Sequence, residues 1–180
     1  MKIAIVGATG NVGRKVLQVL EQKKILIDEL YLIASKRSSG KKLSFNGKEY
    51  EVFNLETFDF SKVKISFFTA GGKISEQYAR KAAKYSIVID NSSFFRMDPD
   101  VPLIVPQVNP EAIKDMKKNI IANPNCSTAQ LVIALKPLHD LFNIVRIVVS
   151  TYQSVSGGGK DPMNELIEQT KSSLENKEIK

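Results

Sequence analysis

The sequence predicts an α/β protein: a doubly wound, mostly parallel Rossmann-type sheet, followed by the beginning of a second α+β domain. Three observations predict it. The apolar run Lys2-Ile3-Ala4-Ile5-Val6 opens directly onto Gly7-Ala8-Thr9-Gly10-Asn11-Val12-Gly13 and then onto apolar residues at helical spacing. Further short β-branched runs recur along the chain, separated by helical or turn-rich stretches. The only cysteine, Cys126, stands where one such run gives way to an apolar helix.

At 180 residues the chain suffices for one domain and part of another, and the expected division is into 1–125 and an incomplete 126–180. An apolar share of 43% is that of a folded chain with a real core. One cysteine and one histidine exclude an internal disulfide framework and argue against a Cys/His metal site, so no metal is expected and a reducing cytoplasmic setting fits. The first apolar run breaks at Gly7, unlike a signal peptide, and no stretch is long enough to span a bilayer. The net charge is +7, but the lysines are scattered (Lys2, Lys15, Lys36, Lys48, Lys62, Lys84) without a basic stripe. Small polyanionic ligands are therefore the expected partners, rather than nucleic acid or membrane.

In chain order, the first strand and its glycine turn come before a helix carried by Val12, Val16, Leu17, Val19 and Leu20. Gly7 permits the tight turn, Gly10 lets backbone approach a pyrophosphate, and Gly13 allows close helix–strand packing, with phosphate at the helix N-terminus. A second strand, Leu30 to Ala34, leads into Ser35-Lys36-Arg37-Ser38. An NAD-binding unit usually closes this strand with a carboxylate for the ribose 2′-hydroxyl. Here donors and positive charge replace it, the complement of a 2′-phosphate, and NADP is the expected cofactor. The alternating residues 43–53 around Asn46-Gly47 read as a hairpin. Lys64 to Ala70 reads as the next core strand, followed by Gly71-Gly72 and a helix on Ile74, Tyr78, Ala79, Ala82 and Ala83.

The strand Ser86 to Asp90 delivers Asn91-Ser92-Ser93-Phe94-Phe95-Arg96 to the C-terminal edge of the sheet, where ligands of open α/β sheets bind. Arg96 is there either to grip a phosphate or carboxylate with its planar fork, or to shield a neighbouring aromatic. A short helix is expected from Pro110, capped by Asn109. The strand Asn119 to Ala122 then reaches Asn123-Pro124-Asn125-Cys126-Ser127-Thr128, in which Ser127 and Thr128 are read as helix starters. A thiol at a helix N-terminus sits among unpaired N–H groups and the positive end of the dipole, which favours a nucleophilic thiolate. The competing reading is a small buried hydrophobe.

Pro137 is expected to kink or end that helix within a residue or two, leaving His139 in a polar segment beyond it. Three helical turns, roughly 15 Å, separate His139 from Cys126, so it is read as a surface or structural residue. Ile144 to Val149 is the strongest β pattern in the chain; it continues through Gln153 to Gly157-Gly158-Gly159, where backbone can approach a ligand. From Asp161 onward an amphipathic helix is expected.

Taken together, GATGNVG, NSSFFR, NPNCST and STYQSVSGGG resemble, in order and spacing, the aspartate-β-semialdehyde dehydrogenase family. The resemblance runs through almost the whole chain. It implies a dinucleotide-binding domain followed by a larger domain that completes the active site and the homo-oligomer interface. It implies that Cys126 is the nucleophile, with Asn125 shaping the site and Gln153 orienting the substrate. Arg96 would bind the acyl phosphate or inorganic phosphate. Thr9, Gly10, Asn11, Val12, Arg37, Ser38, Ser156 and Gly157 would contact NADP, with Gly7, Gly13 and Ser35 completing that set from the residue reading. The family's acid/base histidine and its substrate-carboxylate residues have no counterpart here, and His139 does not match that histidine. A fragment or truncated product, able to bind NADP with little turnover, is the expectation. The rivals are an N-acetyl-glutamyl-phosphate or glyceraldehyde-phosphate dehydrogenase, and a non-catalytic NADP-binding module with an inert cysteine.

Overall fold

The computed structural model describes residues 1–179 as two compact units, the first spanning Met1–Ile147 and the second starting at Val148. The first unit is a seven-stranded sheet with helices on both faces. Its strands are β1 (Lys2–Val6), β2 (Glu29–Ala34), β3 (Lys42–Phe45), β4 (Lys48–Asn54), β5 (Ile65–Phe68), β6 (Ile87–Asp90) and β7 (Ile120–Ala122), in the order β3-β4-β2-β1-β5-β6-β7. All pairings are parallel except the β3–β4 hairpin. That hairpin turns at Asn46 and Gly47, both at positive φ, which the twist of a two-residue hairpin loop demands.

The strand at the centre explains the two layers. Along β1 the side chains alternate, so Ile3 and Ile5 enter one core with Leu32, Leu17 and Leu20, while Ala4 and Val6 enter another with Ile33, Phe68 and Val88. Helix α1 (Asn11–Gln22) buries Gly13, Leu17 and Leu20 over the first face; α2 (Gly72–Ala82) buries Ser75, Ala79 and Ala82 over the second. Ile3, Ile5, Leu32 and Ile33 are at most 1% exposed, and burial of each such side chain is worth about 1.5–3 kcal/mol. The β4–β5 crossover is made by two short 3-10 turns, Leu55–Thr57 and Phe60–Lys62, which Asn54 and Asp59 cap through their side-chain oxygens.

The chain leaves β1 toward β2 on one side and returns to β5 on the other. The sheet's switch point therefore lies between the C-terminal ends of β1 and β5, the place where this architecture binds ligands.

Four local expectations are corrected. Asn109 does not cap the 3-10 turn Pro110–Asp115: its Oδ1 accepts the Val105 N–H at 2.9 Å and its Nδ2 donates to the Leu103 carbonyl at 3.0 Å. The helix α3 (Cys126–Phe142) is capped by Asn125, one residue before Cys126, not by Ser127 or Thr128. Pro137 neither ends nor closely precedes the end of α3, which runs five residues further to Phe142 and is closed by Asn143, a left-handed cap (φ 51°) whose N–H donates to the His139 carbonyl at 2.8 Å. His139 is thus inside the helix. Ile144 to Val149 forms no strand: Val145 is 92% and Val148 82% exposed. A strand needs an edge to pair with, and the outer edge of β7 is already taken by residues 102–104, which exchange backbone hydrogen bonds with Ala122.

In the second unit, a 3-10 turn at Val155–Gly158 leads into α4 (Lys160–Leu174), the expected amphipathic helix. Among the described residues no helix is long and apolar enough to cross a membrane.

Candidate active site

The glycine turn after β1 is built by backbone. Gly7 adopts φ +89°, and the N–H groups of Gly7 and Ala8 both donate to the Ile33 carbonyl, at 2.8 and 3.1 Å. A Cβ on Gly7 would stand 2.8 Å from Thr69 Oγ1 and 3.0 Å from the Ala70 nitrogen, because the residues after β5 lie directly against the turn. Thr69 fixes that contact by donating to the Val6 carbonyl from both its N–H and its hydroxyl. A Cβ on Gly13 would overlap the Gly7 carbonyl oxygen. Gly10 caps α1, and Gly10, Asn11 and Val12 are exposed with Thr9 half-buried beside them. The first turn of α1 thus presents its N–H groups to solvent beside the switch point, a cradle of the size and polarity that a pyrophosphate requires. Thr69 and Ala70 were not singled out in the sequence; the legible signal was only their place at the end of a core strand.

Beyond β2, Lys36–Ser38 forms a 3-10 turn at the same sheet edge. Ser35 and Arg37 are exposed and Ser38 is buried at 8% exposure. Arg37 is thus offered outward, while Ser38 packs beneath it as part of the turn.

The remaining two loops meet around Arg96. At the end of β6, Asp90 is fully buried and accepts hydrogen bonds from Ser75 Oγ (2.6 Å), Ser92 Oγ (2.7 Å) and the Ser92 N–H (3.2 Å). Ser92 Oγ in turn accepts the Phe94 N–H at 3.1 Å. Asp and Ser two residues apart form such side-chain-supported turns readily, so the bend that carries Arg96 was encoded in Asp90-Asn91-Ser92. Arg96 Nε donates to the Asn123 carbonyl at 2.8 Å and its Nη2 to the Asn91 carbonyl at 3.3 Å. Asn123 Nδ2 donates to Asn91 Oδ1, and the Asn123 N–H to the Asp90 carbonyl at 3.0 Å. The guanidinium lying over Phe95, 5.7 Å from its centroid, is that of Arg80.

The loop after Arg96 is held by charge. The Asp100 N–H, and after it Lys118, keeps the Asp98 carboxyl below its usual range; Lys118, and then Lys117, does the same to Asp100. Lys118 reaches Asp98 at 3.3 Å and Asp100 at 2.9 Å, and its own ammonium is held above its usual range by Asp100 first.

Three residues after Asn123, Cys126 is the first residue of α3 and is exposed, not sealed in apolar packing. Asn125 Oδ1 accepts the Ser127 N–H (3.0 Å) and Ser127 Oγ (2.8 Å), and Cys126 Sγ lies 3.6 Å from the same oxygen. The cap therefore fixes the sulfur at the helix entrance. His139 lies thirteen residues on in the same helix, about 20 Å along its axis, where it lines a mostly apolar groove of 340 Å³ with Val108, Val132, Leu135 and residues 144–147. In the second unit, Gln153, Ser156 and Gly157 are exposed, Ser154 and Ser156 hydroxyls are 3.0 Å apart, and the Gln153 side chain rests against Gly157. Among the described residues no cluster of three His, Cys, Asp or Glu could hold a metal ion.

Residues 2–116 match the model of the semialdehyde dehydrogenase NAD-binding domain, and residues 135–180 that of the semialdehyde dehydrogenase dimerisation domain. The aspartate-semialdehyde dehydrogenase of Aquifex aeolicus is 56% identical over 181 residues, covering 99% of this chain and 53% of that protein. The crystal structure of aspartate semialdehyde dehydrogenase II from Vibrio cholerae, complexed with ASA, superposes with a TM-score of 0.94 at 51% identity over 99% of this chain and 54% of that one. The Candida albicans enzyme, solved with NADP, superposes at 0.63 and 31% identity over 79% of this chain and 48% of that one. The chain spans about half the length of the curated relatives it matches. A mostly parallel sheet with a glycine turn at its switch point, a capped cysteine on a loop bonded to an arginine, and a domain match over residues 2–116 agree on one conclusion: the chain belongs to the semialdehyde dehydrogenase family.

Proposed function

We propose that these residues form the NADP-binding and thioester-forming part of an aspartate-semialdehyde dehydrogenase, acting on L-aspartyl 4-phosphate and L-aspartate 4-semialdehyde in amino-acid biosynthesis. The carrying observation is the exposed Cys126 at the capped start of α3, in a loop whose Asn123 carbonyl is bonded to Arg96. The cysteine's sulfur attacks the acyl carbon of the aspartyl phosphate, and the C–O bond to phosphate breaks as the thioester forms. Arg96 offsets the charge of the departing phosphate: two of its five N–H donors hold backbone carbonyls, and the fork is thereby oriented before substrate arrives. NADPH, held at the glycine turn, would supply the hydride that reduces the thioester. Collapse of the resulting hemithioacetal alkoxide would free the aldehyde and return the C–S electron pair to Cys126 Sγ. Asn125 shapes the sulfur's surroundings, and Gln153 orients the substrate.

The cofactor fits the turn observed here. Gly7, Thr9, Gly10, Asn11, Val12 and Gly13 would hold the pyrophosphate, and Ser35, Arg37 and Ser38 the 2′-phosphate. For Ser156 and Gly157 the cofactor role rests on the family resemblance. Functionally the chain divides at 125/126, between dinucleotide binding and the cysteine-bearing catalytic part. A cytoplasmic, homo-oligomeric parent enzyme is part of the same reading, as is weak turnover by these 180 residues alone.

The test is modification of Cys126 by iodoacetamide with and without ligands, alongside a fluorescence titration with NADPH. Labelling faster than that of a free-cysteine control, and slowed by phosphate or NADPH, is expected. Slow labelling that neither ligand alters would favour an inert NADP-binding module. Near-normal NADPH oxidation with aspartyl phosphate by the 180-residue chain would overturn the weak-turnover part.

A further inference from the structure

Asn123 has no part in the chemistry above, yet it joins the loop after β6 to the loop that carries Cys126. Its N–H donates to the Asp90 carbonyl, its side-chain amide to Asn91 Oδ1, and its carbonyl accepts Arg96 Nε at 2.8 Å. Asn91 closes the ring, since its own carbonyl accepts Arg96 Nη2 at 3.3 Å. Pro124 follows and confines Asn123 to extended backbone, so the carbonyl that meets Arg96 has a fixed direction. Only three peptide units then lead to Cys126, which limits the Asn123-to-Cys126 Cα separation to about 11 Å. Arg96 is therefore tied to the sulfur's own loop through the Asn123 backbone carbonyl, and the Asn123 side-chain amide holds that stretch of loop to Asn91.

We propose that Asn123 is a positioning residue: its amide, paired with Asn91, sets the direction in which Arg96 faces Cys126 and thereby the selectivity of that sulfur for anionic electrophiles. The claim rests on the roles given above to Cys126 and Arg96. Its test, however, uses neither substrate nor cofactor, so failure of the dehydrogenase reading and failure of this one are separable. Without the amide pair, the two loops keep only the Asn123 N–H bond to Asp90 and the Arg96 bridge itself, so the carbonyls that aim the guanidinium are held less firmly while its charge is unchanged.

The probe is the ratio of the alkylation rates of Cys126 by anionic iodoacetate and neutral iodoacetamide, measured on the 180-residue chain. A cation held within about 10 Å of the sulfur raises this ratio by a few-fold at low ionic strength. Both Asn123→Ala and Arg96→Ala are expected to lower it about threefold. In the Arg96→Ala background Asn123→Ala is expected to add less than about 1.3-fold, the non-additivity of residues that act as one unit. Asn91→Ala removes the same pair from the other side and serves if Asn123→Ala fails to fold. Circular dichroism melting identifies that case. An unchanged ratio in Asn123→Ala, or an equal drop with and without Arg96, overturns the proposal.

Discussion

The glycine turn makes the sharpest quantitative test, because two of its glycines answer differently to the same added methyl group. Gly13 lies in the first turn of α1, where alanine is ordinarily preferred to glycine by about 1 kcal/mol. Here the new Cβ would overlap the Gly7 carbonyl oxygen and stand 2.8 Å from Ala8 Cα. These obstacles are backbone atoms, and that backbone is held to β2 by the two bonds from Gly7 and Ala8 to the Ile33 carbonyl. Relief must move the helix off the sheet or break that anchorage, so the cost belongs at the upper end of overpacking, about 3 kcal/mol. At 2–4 °C per kcal/mol for a chain of this size, the melting temperature of Gly13→Ala falls by about 6–12 °C. Gly10→Ala meets only the Gly7 oxygen, at 3.3 Å, with φ −79° open to any residue, and loses about 1 kcal/mol or less as a poorer cap. Urea unfolding followed by far-ultraviolet circular dichroism measures both, and an NADPH titration on each variant reads the cradle directly. The chain has no tryptophan, so the nicotinamide fluorescence is free of energy transfer from that source. If Gly13→Ala comes within 0.5 kcal/mol of Gly10→Ala, a margin of about twofold in the unfolding constant, the turn is softer than its hydrogen bonds imply and the reasoning fails.

Arg37→Ala should weaken NADPH binding about tenfold while altering NADH binding by less than about twofold, since a charge-assisted contact to the 2′-phosphate is lost; equal losses for the two cofactors would remove Arg37 from that role. Asp90→Ala should destabilise the first unit by about 3–5 kcal/mol, because Ser75 and Ser92 hydroxyls and one N–H lose a buried acceptor; the check is urea unfolding. The Asp98–Asp100–Lys118 cluster should add a pH dependence. The carboxyls of Asp98 and Asp100 are held below the unfolded value near 4, so the unfolded chain binds more protons in that window. Their contribution is fully present above about pH 4 and disappears as pH falls through the native values. Melting temperatures from pH 6 to pH 3 should therefore fall less steeply in Lys118→Ala than in the parent, and parallel profiles would contradict the assignment.

The parts of this molecule that were readable in the sequence are those whose signal is local. The first strand, its glycines and the helix after them are encoded within twenty residues, and Asn46-Gly47 specifies its turn by itself. Cys126 was legible as a helix-start residue because an apolar strand and a proline stand in line before it and an apolar helical run follows, although the cap proved to be Asn125 and not Ser127 or Thr128. Asn109 and Pro137 mark the limit. Asn109 had the right identity and spacing for a cap, but two backbone groups six and four residues earlier offered it better partners. Pro137 costs the helix one N–H and a steric adjustment, yet the stop is set where Asn143 can turn left-handed.

Ile144 to Val149 shows the same limit from the other side, since β-branched residues describe a preference for pairing without supplying an edge. The edge of β7 is occupied by residues 102–104, fifteen to twenty residues before β7 in the chain, and no window around Ile144 contains that fact. The same argument covers the site. Thr69 against Gly7, Arg80 over Phe95, and Asn123 between Asn91 and Arg96 are all contacts between loops that meet only because parallel strands end at one edge. Sequence patterns pointed to strand ends as candidate sites; which of those ends touch is decided by the strand order. In this sheet that order brings β6 and β7 side by side, so the arginine after one is bonded to the cysteine-bearing loop after the other.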